Sequence, residues 1–138
     1  MQRLTRSTRR RLGGVAVAAF LAVLFPANAS AITDGRCSIY ADNHLLGSNH
    51  HYLSWQVDAF CGSGVNYMKV TYSVLRDGSV WYGNSRDQGN NNDMHFAQTP
   101  RCTSGTHKYQ ATARLNYYYF SQPKSLGPVN SITITCTG

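Results

Sequence analysis

Proton transfer near neutral pH would fall, in this 138-residue chain, to five histidines and six aspartates, because glutamate is absent. Glycoside hydrolysis needs two carboxyl groups flanking one bond. Asp34, Asp42, Asp58, Asp77, Asp87 and Asp93 stand mostly among turn-forming residues, a poor basis for such a pair. His44, His50 and His51 share one stretch, yet adjacent histidines on a strand or turn point apart. None of these, nor His95 or His107, has the spacing of a zinc motif. The expected role of all five is that of solvated loop side chains. The Asp87 to Asp93 stretch is rich in oxygen but lacks the alternating acidic series and terminal glutamate of a calcium loop. No Gly-x-Ser-x-Gly or Ser-x-x-Lys nucleophile motif occurs. The residues therefore predict no enzyme, no metal site and no cofactor.

Binding chemistry is better represented. Nine tyrosines, five phenylalanines and two tryptophans are present, and Tyr117, Tyr118, Tyr119 and Phe120 are consecutive. One face of one strand cannot bury all four. Tyr118 and Phe120 are expected to point away from the face that carries Tyr117. Trp81 is expected to point away from the face of Val80 and Tyr82, with Phe60 and Tyr67 also on outer faces. Rigid amphipathic rings are enriched at protein interfaces, where a few of them dominate affinity, and they also stack on sugars. Trp81, Tyr118 and Phe120 are accordingly the expected partner-binding residues.

These side chains must be positioned by strands. Between Val65 and Tyr82, two β-branched and aromatic runs flank Asp77-Gly78, the residue pair that a two-residue type I′ hairpin turn favours. In the first run Met68, Val70, Tyr72 and Val74 alternate with Tyr67, Lys69, Thr71 and Ser73, as one buried face requires. Cys37 to Ala41 predicts a short edge strand, and Asn43 to His51 a polar loop in which Leu45-Leu46 joins the core or stays exposed. Tyr52 to Cys61 predicts a strand burying Trp55, Val57, Ala59 and Cys61. Gly83 to Asp93 predicts a long exposed loop, since its side chains favour turns. Met94 to Thr99 predicts a short strand ended by Pro100. His107 to Phe120 predicts the longest strand, with Tyr109, Ala111, Ala113, Leu115 and Tyr117 inward. The proline-bearing Gln122 to Pro128 reads as a connection, and Ser131 to Cys136 as a last strand with Ile132 and Ile134 facing in.

Six or seven short strands at this spacing define an all-β fold, an antiparallel sandwich of immunoglobulin-like type, with a barrel as the alternative. The Cys-Trp-Cys arrangement of antibody domains is missing, because Trp55 precedes Cys61 on the same strand. Four cysteines predict two disulfides. Pairing of the strands that carry them favours Cys37-Cys61 and Cys102-Cys136. The other connectivities remain open, since all four cysteines could gather at one pole.

Residues 1 to 31 have the three parts of a secretory signal peptide: Arg3, Arg6, Arg9, Arg10 and Arg11, then apolar Gly13 to Phe25, then Ala29-Ser30-Ala31. The apolar run is too short for the roughly twenty residues that span a bilayer. Cleavage after Ala31 would leave one domain, 32 to 138, outside the cell and free of the membrane. It would also remove five of the thirteen Lys and Arg residues, leaving eight against six aspartates. The formal charge of +7 then falls to about +2, with no basic stripe for nucleic acid.

An arginine-rich signal, a two-disulfide sandwich, the Leu75-Arg76-Asp77-Gly78 hairpin and Tyr109-x-Ala111-x-Ala113-x-Leu115 after a cysteine resemble small secreted proteins of actinobacteria. Among these the chain is most similar to the adaptor subunits of umbrella toxin particles. The resemblance implies a non-catalytic protein that joins a lectin-bearing subunit to a large repeat-rich toxin subunit in an antibacterial complex. The alternatives are a proteinaceous inhibitor of a secreted hydrolase and a carbohydrate- or cell-wall-binding module. Actinomycete α-amylase inhibitors match in size and cysteine count, but their Trp-Arg-Tyr triplet is here Trp81-Tyr82 without the arginine.

Overall fold

Asp77 and Gly78 adopt φ values of 51° and 83°, so the central hairpin turns as its residue pair requires. The computed structural model describes residues 29–89 and 92–138. The basic and apolar parts of the predicted signal peptide lie outside the described residues. Nine strands are present among those described: β1 (Ala29–Thr33), β2 (Cys37–Leu46), β3 (Tyr52–Cys61), β4 (Val65–Arg76), β5 (Ser79–Gly89), β6 (Asp93–Gln98), β7 (Thr106–Tyr119), β8 (Gln122–Asn130) and β9 (Ile134–Thr137). They form two antiparallel sheets, β1-β2-β3-β6 and β5-β4-β7-β8, with β9 pairing the first residues of β7. The all-β sandwich expected from the pattern is the one seen, with nine strands in place of six or seven.

The core contains the inward positions that alternation marks on β4 and β7 and, on β3, Trp55, Val57 and Ala59, joined by Ile39, Ala41 and Leu53, while Cys61 is only partly buried. Ile39 and Ala41 of β2, Leu53, Trp55, Val57 and Ala59 of β3, Met68, Val70, Tyr72 and Val74 of β4, and Tyr109, Ala111, Ala113, Leu115 and Tyr117 of β7 are all buried. Both favoured disulfides form. Cys37 and Cys61 are directly opposite in the β2–β3 ladder, whereas Cys102 ties the segment before β7 to Cys136 of β9. They occupy opposite ends of the sandwich: Cys61 lies beside the turn into β4, and Cys136 pairs with His107 at the far end of β7.

Several segments depart from expectation. Gly83 to Gly89 is strand and not loop, paired residue for residue with β4 from Ser73 back to Tyr67. Its side chains favour turns, but the long, regular β4 offers an open row of backbone donors and acceptors, and ladder bonds override local preference. Gln122 to Pro128 is also strand; its two prolines are tolerated because β8 is an edge. The Cys37 strand is not short, for it runs on to Leu46, and β1 pairs beside its Ser38–Asp42 through Ile32, Thr33 and the last three residues of the predicted signal peptide, Ala29 to Ala31. Asn43 thereby becomes a core residue, its Nδ2 donating to the Tyr109 carbonyl at 3.0 Å. Leu45 packs against the core and Leu46 is exposed. Ile132 is exposed, not inward. Ser131 is buried in its place, pinned to Ala111 by its own N–H and by its Oγ, each at 2.8 Å.

The far end is closed electrostatically. Asp77 Oδ2 accepts from His107 Nδ1 at 2.6 Å and Oδ1 from the Lys108 N–H at 2.9 Å. The Lys108 N–H, then His107, hold the Asp77 carboxyl below its ordinary value of 3.8, and Asp77 holds His107 above 6.5. Asp77 contributes above 3.8, a contribution lost as pH falls through its lowered pKa. His107 contributes fully below 6.5, a contribution lost as pH rises through its raised pKa. The pair is therefore strongest in the window between. The melting temperature should decline as pH rises out of that window, and Asp77→Asn, which keeps the turn and the Lys108 bond, should flatten the decline.

Candidate binding surface

At the end of the sandwich opposite the Asp77 turn, β7 passes into β8 through only two residues, Phe120 and Ser121. Their φ values are 44° and 63°, the same left-handed pattern as Asp77-Gly78 but carried by an aromatic residue and a serine. Each such residue costs about 1–2 kcal/mol relative to right-handed conformations, and for a bulky side chain the conformation is rare. Packing sustains it. The Phe120 ring meets Tyr119 edge-on at 4.6 Å, and the Phe120 N–H donates to the Gly64 carbonyl at 3.2 Å. Gly64 is required here twice over. Its φ is +86°, and a Cβ would fall 2.7 Å from the Tyr119 ring and 3.1 Å from that of Phe120.

The base beneath these rings is rigid. The Arg36 guanidinium lies 4.1 Å from the centre of the Tyr119 ring, a cation–π contact. The Tyr117 hydroxyl donates to Asp34, whose carboxylate also accepts from the N–H groups of Arg36 and Cys37 at 3.0 and 2.9 Å. Partial burial works to raise the Asp34 carboxyl, but these hydrogen bonds outweigh it and hold the group below 3.8. Burial, and then the hydrogen bond to Asp34 and its charge, push the Tyr117 hydroxyl up to about 12. The Cys37–Cys61 disulfide fixes the same corner.

Phe120 is 71% exposed and Tyr118 43%. Tyr118 stands on the outer face of its sheet, edge-on to Tyr67 at 5.6 Å, and the two line an open groove of about 400 Å³ with Asn66 and Ser121. The Tyr67 hydroxyl donates to Asp87 at 3.2 Å, which holds one wall. Tyr118 and Phe120 thus lie at the same end of the sandwich, Tyr118 against Tyr67 on the outer face and Phe120 against Tyr119, while exposed Phe60 belongs to β3 of the other sheet.

Trp81 belongs elsewhere. Val74 pairs with Tyr82 and Leu75 with Val80, so Trp81 is the extra residue of a β-bulge. A bulge re-aims the side chain it carries. Trp81 is half-buried against the core, edge-on to Tyr109 at 5.3 Å, instead of standing on the outer face. Seven residues of β4 separate its ladder position from that of Tyr67, roughly 23 Å at strand rise.

His44, His51, His95 and His107 are more engaged than solvated loop residues would be, while His50 lies exposed in the loop before β3. Nδ1 of His44 donates to Asp42 at 3.1 Å and Nδ1 of His95 to Asp58, while His107 is held as described. Asp42 and Asp58 lie in strands, each 3% exposed, on the face turned away from the core. Gln56 bridges Asp58 and the Tyr40 hydroxyl at 2.6 Å each, and burial, then Asp58, raise the Tyr40 pKa. A histidine oriented by a carboxylate is two-thirds of a nucleophilic triad, and no serine or threonine hydroxyl is hydrogen-bonded to these rings among the described residues. No group of three or more metal-ligating side chains occurs among the described residues either.

Fold and surface together define a two-disulfide all-β sandwich with a rigid aromatic pole. Among the described residues no helix is long and apolar enough to cross a membrane. Compared with known protein families, curated proteins and solved structures, the chain matches none.

Proposed function

We propose that this is a secreted, non-catalytic protein-binding module whose contact surface is the pole formed by Tyr118 and Phe120. The observation that carries the reading is the Phe120 turn: two residues are kept in an unfavourable backbone conformation, and the result is a large ring presented to solvent. Strain of this kind persists where the surroundings over-determine it, and it clusters at functional positions. A ring fixed before association loses little freedom on binding. Resemblance to the adaptors of umbrella toxin particles supports a more specific assignment, an adaptor between a lectin-bearing subunit and a repeat-rich toxin subunit of an extracellular antibacterial complex.

The test is recovery of partners from the producer's culture medium with tagged protein spanning residues 32–138. The native sequence should retain a large repeat-rich polypeptide together with a lectin-bearing one. Tyr118→Ala should weaken the isolated complex by roughly 30-fold, the effect of one hot-spot residue of about 2 kcal/mol. The pair Phe120→Asn and Ser121→Gly installs residues that the turn prefers. That variant should melt at an equal or higher temperature and lose the partner. Unchanged binding by both variants, with the fold intact, would overturn the assignment.

A further inference from the structure

Cleavage after Ala31 cuts through a strand. β1 pairs with β2 from Ala29, opposite Asp42, to Thr33, opposite Ser38, so Ala29, Ser30 and Ala31 leave with the signal peptide and only Ile32 and Thr33 stay. Among the described strands β1 alone pairs on this side of β2. A mature chain that begins at Ile32 therefore has a bare strand edge from Tyr40 to Leu46. Ala41 and Asn43, at the middle of that edge, are core residues.

Backbone groups of an antiparallel strand face its two neighbours alternately. The Arg36 carbonyl turns toward β3, accepting from the Gly62 N–H at 2.7 Å, and the Cys37 carbonyl turns the other way, accepting from the Asp34 N–H at 3.2 Å. Ala41, Asn43 and Leu45 keep step with Cys37 and present their N–H and C=O groups to the bare side. A row of such groups is a template for another strand. What fits is shown by what sits there: Ala29–Ala31 have small side chains, run antiparallel to β2, and belong to a strand that lies against β8 of the opposite sheet. The cut itself selects the kind of segment. Hydrolysis adds water across the Ala31–Ile32 bond and leaves an α-ammonium on Ile32, largely protonated at neutral pH. That ammonium stands at the head of the bare edge, where any strand following the path of β1 must stop. A segment in mid-chain would run its next residue into Ile32, whereas one that ends there brings a carboxylate to the ammonium.

We propose that the β2 edge is a strand-acceptor site for the C-terminal tail of a partner polypeptide. The tail adds antiparallel along Ala41 and Asn43, carries small residues in the places of Ser30 and Ala31, and sets its terminal carboxylate against the Ile32 α-ammonium. Main-chain hydrogen bonds supply the affinity, and the paired chain ends supply direction and register. The inference rests on the reading of the protein as secreted and cut after Ala31, and it makes no use of Tyr118 or Phe120.

The experiment is a titration of 15N-labelled protein spanning residues 32–138 with the acetylated peptide Ala-Asn-Ala-Ser-Ala, the sequence of residues 27–31, ending either in a carboxylate or in an amide. The expected result is a saturable shift of the Ala41 and Asn43 amide signals with the carboxylate form. The amide form should bind roughly three- to fivefold more weakly, the scale of an exposed ion pair, and the difference should narrow in about 0.5 M salt. Protein spanning residues 29–138, whose own β1 fills the edge, should show no shift at these amides. No saturable shift with either peptide, equal affinity for the two, or equal binding by the 29–138 protein overturns the proposal. Self-association of the 32–138 protein that the carboxylate peptide dissolves, read by analytical ultracentrifugation, gives the edge to a second copy and overturns it too. The intact mass of the naturally secreted protein tests the cleavage separately: a start other than Ile32 refutes that reading, and the proposal with it.

Discussion

Trp55→Ala lowers the unfolding free energy by about 3–5 kcal/mol, the range for truncating a fully buried large aromatic. Trp55 is 1% exposed and touches both sheets: Tyr72 lies at 5.2 Å and Tyr82 at 5.7 Å. Removing it unseats the Tyr72–Tyr82–Phe96 group, since Tyr72 also packs on Phe96 at 4.7 Å. Domains of this size hold only about 5–15 kcal/mol in total, so the variant sits close to unfolding at ambient temperature. Trp55→Phe separates packing from hydrogen bonding. It keeps a ring and deletes a buried unpaired N–H, so it should cost far less than alanine. Urea unfolding followed by tyrosine fluorescence or circular dichroism reads both. An alanine variant within 1 kcal/mol of the native protein would show that Trp55 does not join the sheets.

Loss of the Cys102–Cys136 disulfide has a comparable effect. Closing a loop of 34 residues restricts the unfolded chain by about 3.8 kcal/mol, and one of 24 residues, as between Cys37 and Cys61, by about 3.5. The two differ more in the folded state. Cys37 and Cys61 sit in strands that stay laddered without the bond, whereas Cys102 lies outside any strand, next to an isolated bridge between Tyr52 and Arg101. The paired change Cys102→Ala and Cys136→Ala should therefore lower the melting temperature by roughly 15–25 °C. The corresponding Cys37→Ala and Cys61→Ala pair should fall less, despite its similar loop. Calorimetry of both in the absence of reductant decides; an equal or reversed order would mean that loop entropy alone sets the cost.

Regular alternation made β3, β4 and β7 legible, because each buries one face completely and the period of two survives in the residue types. The disulfides followed from those strands, since neighbours that pair bring their ends together. What alternation could not reveal was strand without a buried face. Asn84, Ser85 and Arg86 are exposed on both sides of β5, so nothing in their chemistry marks the ladder that β4 imposes. Alternation places Trp81 one face out because a single extra residue resets the period. The signal was confined to the ladder, where Val74 pairs with Tyr82 and Leu75 with Val80. Tyr118 and Phe120 were found on the outside from their place beside Tyr117, but the backbone of Phe120 was invisible to a pattern that treats it as strand. The Asp58–His95 pair spans 37 residues and exists only through register. A hint lay in Tyr40-x-Asp42-x-His44 and Gln56-x-Asp58, polar residues at period two opposite an apolar face.

The polar character of β5 has a consequence for the life of the protein at high concentration. An outermost strand of eleven residues displays a row of unpaired amides and carbonyls, and in a hydrophobic version it would template the addition of another chain and begin a fibril. From Gly83 to Gly89 this strand has no aliphatic or aromatic side chain, and Arg86 and Asp87 stand on its two faces. A second copy laid along it would gain backbone hydrogen bonds but bury almost nothing apolar, and would bring like charges close together in several registers. The residues that conceal this strand from a pattern search are the same ones that keep the sandwich from polymerising through its longest open edge.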